Sequence, residues 1–244
     1  EAPGGTAAKP KPTGAGEKPG QQDYTYYIPA EKQEQIREFV KREKVTQAAL
    51  YYTAWGIEEQ ANKNSSDVVI GTTVSGRSAK VKGIENMVGL FIATIPLRVV
   101  TRAGETIRDL LHRVEETLQI RENYESTPLV EIRRYAGLEA REEMFDTVMV
   151  IENYPQERRW GGEDGDMPYR VEAYSVVERT NYAMAAAVID AEKMKVEFNY
   201  NPGEWTGEQV EEWARRWQYI IEQIRPPPGS PVTGIEVVMP GEKQ

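Results

Sequence analysis

The chain has 244 residues, 39% hydrophobic and 28% charged, with a formal net charge of -9, one histidine and no cysteine. That balance describes a soluble chain long enough to bury a real core, and it excludes disulfides, thiolate nucleophiles and zinc held through sulfur. The negative charge argues against a nucleic-acid surface, which needs clustered Lys and Arg, although the pairs Arg133-Arg134 and Arg158-Arg159 could each meet one phosphate.

No stretch approaches the ~18 consecutive apolar residues of a membrane helix, and the N-terminus has no apolar segment that could act as a secretory signal. No membrane partner and a cytoplasmic location are therefore expected. The sequence starts at Glu1 without a methionine, as expected of a chain that is processed, trimmed from a tag or cut from something longer.

Residues 1–20, EAPGGTAAKPKPTGAGEKPG, contain no large apolar side chain. They cannot bury enough surface to offset the entropy of ordering, and their Pro content reads as a flexible but extended linker. A folded unit is expected over residues 21–244.

From Tyr24 the texture changes. YTYYIP is β-prone and closed by Pro29, and AEKQEQIREFVKREK reads as a helix with Ile36, Phe39 and Val40 inward. Thr46 is an N-cap candidate for a second helix, whose stripe is Ala49, Leu50, Thr53, Ala54 and Ile57.

Strands are expected at 68–74, 88–100 with an interruption at Pro96, 144–152, 171–178, 182–190 and 194–200. In the last of these, Met194, Val196, Phe198 and Tyr200 alternate onto one face. A helix is expected at 105–122 and a closing one at 207–224, where Val210, Trp213, Trp217, Ile220, Ile221 and Ile224 form one stripe. The two tryptophans read as core. Residues 153–170 form a long polar insertion between strands. The inventory implies an α/β chain, an α+β sandwich in which helices cover at least one face of a mixed sheet.

Catalytic equipment is sparse. His112 falls about 140° around its helix from Ile107, away from the apolar face, and should be a surface residue. Asp146 and Glu152 share a strand face by parity, but a turn cap and an edge charge explain them equally well. Gly-rich phosphate loops, nucleophile elbows and metal signatures are absent from the sequence; no catalytic residue and no metal ligand is assigned.

The stretch DVVIGTTVSGRSAKVKGIENMVGLFIATIPLRV, Asp67 to Val99, carries more. It resembles the C-terminal half of the condensation domain of nonribosomal peptide synthetases, with a G-x-x-V-S-G-R turn, a GIE stretch and a G-x-F-x-N-T-x-P-x-R strand at matching spacing. ENYESTPLVEIRRYAG, MFDTVMVIENYP and TNYAMAAAVIDAEKMKVEFNYNPGEWTGEQVEEWARRW are similar to further family blocks in the same order, so the resemblance runs from Tyr24 to the C-terminus.

The resemblance implies two chloramphenicol-acetyltransferase-like lobes, of which this chain looks like the second alone, with a mostly antiparallel mixed sheet covered by helices. It implies amide-bond formation between thioesters carried on the 4'-phosphopantetheine arms of peptidyl carrier proteins, with no cofactor bound directly by this chain. The partners it implies are the first lobe, those carriers and an adjacent adenylation domain. The family's His-His-x-x-x-Asp-Gly motif belongs to the first lobe, and this chain has no adjacent histidines. Ala93 stands where the family commonly has Asn. On this reading the chain alone should be inactive.

Carried over by position, Ser75, Gly76 and Arg77 match the turn, and Gly89, Phe91, Thr94 and Arg98 match the strand that lines the substrate and pantetheine tunnel. Each has a conformational alternative: Gly76 as a turn with positive φ, Arg77 as a strand-end cap or a partner of Glu85, Thr94 as a β-prone packing residue. The 153–170 insertion resembles the region that crosses to the first lobe. Two other readings remain open: a non-catalytic module that docks carrier proteins or a tailoring enzyme, and a self-sufficient trimeric acetyltransferase with its site between subunits.

Overall fold

A computed structural model describes residues 6–7, 20–77, 82–139, 142–152, 180–190, 193–225 and 229–239. The expected strand at 171–178 and the insertion at 153–170 lie outside the described residues. Within the stretch read as a linker, β1 (Thr6–Ala7) pairs with the next strand through Thr25 and Tyr24.

The order along the chain is β2 (Gln22–Tyr27), α1 (Ala30–Glu43), α2 (Gln47–Lys63), β3 (Asp67–Val74), β4 (Ala93–Val100), α3 (Ile107–Arg121), α4 (Leu129–Tyr135), β5 (Thr147–Glu152), β6 (Met184–Ile189), β7 (Lys195–Tyr200) and α5 (Gly207–Ile224). The strands form one sheet, ordered β1-β2-β7-β6-β5-β3-β4. Among the described residues, only the β3–β5 and β5–β6 pairs are parallel; the other pairs are antiparallel. This is the mixed, mostly antiparallel sheet expected.

Helix boundaries follow local chemistry. Thr46 caps α2 by accepting from Ala49 N at 3.1 Å. Thr106 with Asp109, and Thr206 with Gln209, form reciprocal capping boxes that start α3 and α5. The stripe read for α2 undercounts its burial, because every residue from Ala49 to Gln60 is buried. The helix lies between the sheet, α3 and α5, so even Glu58 and Glu59 are enclosed.

One face of the sheet carries the main core. Tyr24, Ile70, Val99, Met149, Val188 and Phe198 point toward α1, α2, α3 and α5. Trp55 sits at its centre, 6.2 Å from the Phe198 ring and 5.3 Å from Trp213. Trp217 is fully buried and donates its N–H to Tyr51 O at 3.2 Å, so both tryptophans of α5 are core, as expected. The opposite face holds a smaller cluster, Phe145, Val148 and Ala185, with Val69 and Leu129 against it.

Two differences from the sequence reading have clear causes. The strand expected from residue 88 begins at Ala93. Its partner β3 ends at Val74, paired to Ala93, and turns away at Gly76, so residues 88–92 have no ladder to join. The helix α4 has no counterpart among the expected elements: it is short, Pro128 sits at its N-cap, and it buries no residue that would give it an apolar stripe.

Buried carboxylates tie the helices together. Glu115 of α3 accepts from Thr46 N at 2.8 Å and from Thr46 Oγ1 at 2.7 Å. Burial alone would raise its carboxyl, but the Thr46 bonds and a bond from Gln119 outweigh that and hold it below the usual range. At Glu43, burial likewise works upward, and Arg108 and Arg42 bring the net shift downward.

A lowered folded-state value means stability that is fully present above the unfolded value, about pH 4.3, and lost as pH falls through the folded one. Glu115→Gln is expected to cost about 1–2 kcal/mol near neutral pH and to flatten the acid limb of a plot of Tm against pH. Parallel acid limbs in the two proteins would contradict this role.

Candidate functional site

The turn after β3 is built around a glycine that nothing else can replace. Gly76 has φ +64°, and a Cβ there would lie 1.9 Å from the carbonyl oxygen of Phe91. Ser75 is exposed, and its hydroxyl accepts from Arg77 N at 3.3 Å. Arg77 Nη1 donates to Ile84 O at 2.6 Å and to Met87 O at 3.0 Å, and the guanidinium lies 4.5 Å from the centroid of the Phe91 ring. Residues 84–91 therefore wrap around one side chain. Arg77 thus caps carbonyls of the loop between β3 and β4 rather than a strand end; the Glu85 side chain lies outside the described residues.

Beside the turn is an open cleft of about 530 Å³, with Gly76, Phe91 and Thr94 on one side and Ser126, Thr127 and Leu129 on the other. Thr94 is half-buried and stands opposite Thr73 in the β3–β4 ladder. Gly89 lies on the exposed loop, where a Cβ would meet only the Phe91 ring, at 3.2 Å. Ala93, where the family commonly has an amide, also lines the cleft.

Along the rim, Val88 and Leu90 are almost fully exposed, at 103% and 91%, and Ile92 is 57% exposed. They alternate along the chain and form an apolar ridge on a loop held from within by Arg77.

Six of the seven residues singled out by position, Ser75, Gly76, Arg77, Gly89, Phe91 and Thr94, thus meet at one end of the sheet. Arg98 does not. It lies toward the far end of β4 and makes a two-point pair with Asp67, at 2.8 and 2.5 Å, both side chains exposed. The hydrogen bonds from Arg98 lower the Asp67 carboxyl.

The opposite wall, residues 125–129, falls in the ENYESTPLVEIRRYAG stretch that resembles the family, but none of its residues is singled out as functional by the sequence. His112 is exposed on α3, as its helical position requires. Among the described residues, no group of three or more His, Asp or Glu is arranged to hold a metal, and no helix is long and apolar enough to cross a membrane.

The most buried acid lies at the other end of the sheet. Thr147 Oγ1 donates to Glu59 Oε1 and accepts from Trp55 Nε1 at 3.2 Å. Lys63 Nζ lies 3.2 Å from Glu59 and 2.7 Å from Asp146. Burial raises the Glu59 carboxyl. Asp146 is thus the partner of Lys63, and this network joins α2 to β5 away from the cleft.

A family model described as "Condensation domain" matches residues 8–244. The chain belongs to the condensation-domain family.

Among curated relatives, this condensation-domain chain is 32% identical over 195 residues to tyrocidine synthase 2 of Brevibacillus parabrevis, and 34% identical over 170 residues to gramicidin S synthase 2 of Brevibacillus brevis. The alignments cover 78% and 69% of the chain but only 5% and 4% of the relatives. The chain is a small part of the length of such synthetases.

Solved structures agree on the fold. A four-domain nonribosomal peptide synthetase bound to AMP and glycine superposes with a TM-score of 0.77 at 13% identity, over 91% of this chain and 18% of that one. The first condensation domain of the CDA synthetase superposes with a TM-score of 0.69 at 14% identity, over 92% of this chain and 49% of that one. The fold is chloramphenicol-acetyltransferase-like, and the chain spans about half of such a solved condensation domain.

Proposed function

We propose that this chain is the second lobe of a nonribosomal peptide synthetase condensation domain, in which residues 21–244 form the lobe and residues 1–20 tether it. Its partner lobe carries the His-His-x-x-x-Asp-Gly motif. Together they join an acceptor amine to a donor thioester, both held on phosphopantetheine arms of carrier proteins next to an adenylation domain. The second lobe supplies tunnel wall and placement, and it moves no proton.

One observation carries the reading: three apolar side chains, Val88, Leu90 and Ile92, stand in solvent, the last two lining the cleft, in a chain that spans 49% of a solved condensation domain. Large exposed apolar patches mark surfaces that another body covers. The cleft lies within the ~300–1,000 Å³ of small-molecule sites, and Thr94 offers a donor and an acceptor along an otherwise apolar wall.

A second reading, a docking module without catalysis, draws on Ala93 and the absence of adjacent histidines. One solved neighbour at a TM-score of 0.70 is an X-domain in complex with OxyB from teicoplanin biosynthesis.

The test is association with a separately produced half that bears the histidine motif. Val88→Asp and Leu90→Asp should each weaken association by at least about tenfold, since a charge at the centre of an apolar contact is left desolvated, while Tm stays unchanged. Undiminished association of both variants would remove the ridge from the interface. Failure of the wild-type chain to associate, with binding to loaded carriers alone, would favour the docking module.

A further inference from the structure

The wall of the cleft formed by residues 125–129 is reached by a crossing. Helix α3 packs in the main core on one face of the sheet, whereas Leu129 packs in the small cluster on the other face. The chain from Glu122 to Pro128 therefore passes around the end of the sheet where β3 stops.

Arg121 stands where the crossing begins. Its carbonyl accepts from Tyr124 N at 2.8 Å, and Tyr124 O in turn accepts from Thr127 N at 2.9 Å. Its side chain reaches back into the fold: Nη1 donates to Thr72 Oγ1 at 2.6 Å, and the guanidinium lies 5.5 Å from the centroid of the Tyr52 ring. Thr72 is fully buried, and its own hydroxyl donates to Ile95 O at 3.0 Å.

The landing point matters. Among the described residues, β3 pairs with β5 at Gly71 with Val148 and Thr72 with Met149, so Thr72 is the last of them at which β3 is held on both sides. Beyond it, among the described residues, β3 runs beside β4 into the Gly76 turn. The relay from Arg121 through Thr72 to Ile95 thus ties α3, β3 and β4 together next to the parts of each that border the cleft.

We propose that Arg121 is a positioning residue for the cleft: its bond to the Thr72 hydroxyl holds the crossing segment 122–128 at the spacing that sets the cleft's width. The partners are the Thr72 hydroxyl and Tyr52, through its ring and its hydroxyl, all neutral, so what the guanidinium supplies is geometry. Its planar fork lies over Tyr52 while an edge N–H meets Thr72, an arrangement a lysine ammonium cannot reproduce. The functional consequence rests on the reading of the cleft as a substrate tunnel.

The test uses the full chain and two readouts: amide hydrogen exchange across residues 122–129, and affinity for a non-hydrolysable acyl-pantetheine amide. Thr72→Val keeps the volume and removes the hydroxyl, Thr72→Ser keeps the hydroxyl, and Arg121→Met removes the fork on the less buried side.

Thr72→Val and Arg121→Met are each expected to accelerate exchange in 122–129 about tenfold or more, the scale of one charge-assisted hydrogen bond, with probe affinity reduced and Tm lowered by only a few degrees. Thr72→Ser should behave as wild type, and the Val/Met double variant should be no worse than either single variant, because both remove one link. Unchanged exchange in Arg121→Met, a Thr72→Ser as impaired as Thr72→Val, or a fall in Tm that accounts for all the exchange would overturn the proposal. A wild-type chain that does not bind the probe would count against the tunnel reading alone, since the exchange measurement still decides the role of Arg121. If Thr72→Val does not fold, Arg121→Met and Thr72→Ser carry the test.

Discussion

Gly76→Ala is expected to open the loop that forms one wall of the cleft and to abolish whatever that wall binds, while the helical core stays folded. The added methyl has two separate conflicts. At φ +64° an alanine sits in the left-handed region, and its Cβ would be 1.9 Å from Phe91 O. A backbone carbonyl cannot yield as a flexible side-chain end would, so the turn and the segment carrying Phe91 must separate.

Strain of this kind costs about 1–3 kcal/mol, and here it is relieved locally, since apart from Ile84 the described loop residues that follow are exposed or half-buried. Arg77 would lose its stack on Phe91, and with it the register of the carbonyls at Ile84 and Met87 that it caps. The expected signature is a small change in Tm, faster amide exchange over residues 82–92 and loss of association with the histidine-bearing half. Ser75→Ala, which removes only one exposed acceptor, serves as the control and should retain association. Native exchange over 82–92 in Gly76→Ala would contradict the turn geometry.

Trp55→Ala is expected to be the most damaging single truncation to stability, at about 3–5 kcal/mol. The side chain is fully buried and packs between Phe198 and Trp213. Its indole N–H also donates to Thr147 Oγ1, which in turn donates to Glu59. Removing the indole leaves a cavity beside a carboxylate network whose protonation burial already disturbs. For a chain of this size the loss corresponds to a fall in Tm on the order of 10 °C, read by calorimetry or circular dichroism. Trp55→Phe keeps most of the volume and forfeits the N–H, so it should fall between wild type and Trp55→Ala. A Trp55→Ala protein within about 2 °C of wild type would show that the centre of the core lies elsewhere.

These two positions also mark how far the sequence is legible. The α5 stripe, the cap at Thr46 and the alternation in β7 are local patterns, and each becomes the element it implies. The VSGR turn and the strand behind it are identifiable by spacing, and of the seven residues taken from them Gly76, Phe91 and Thr94 line the cleft.

What cannot be read is what depends on non-local geometry. In the sequence Arg77 is a charge open to a ligand, but the carbonyls it caps lie on a loop whose path is set by the Gly76 turn. Arg98 shares the motif strand, yet the β3–β4 register carries it to the far end, where Asp67 meets it. The crossing segment beside the cleft falls in a block that resembles the family but has no apolar period, and α4 buries nothing that would announce it. Glu59 is enclosed because α2 is covered nearly all round, which a one-sided stripe does not reveal.

The most direct measurement of the central claim is amide formation by reconstituted halves. This chain is mixed with a separately produced half carrying His-His-x-x-x-Asp-Gly, together with donor- and acceptor-loaded carrier proteins, and the condensed product is followed by mass spectrometry. The account predicts product from the pair, none above background from either half alone, and loss of product when this chain carries Gly76→Ala. Association of the two halves without any product, or equal product from the histidine-bearing half alone, would contradict it.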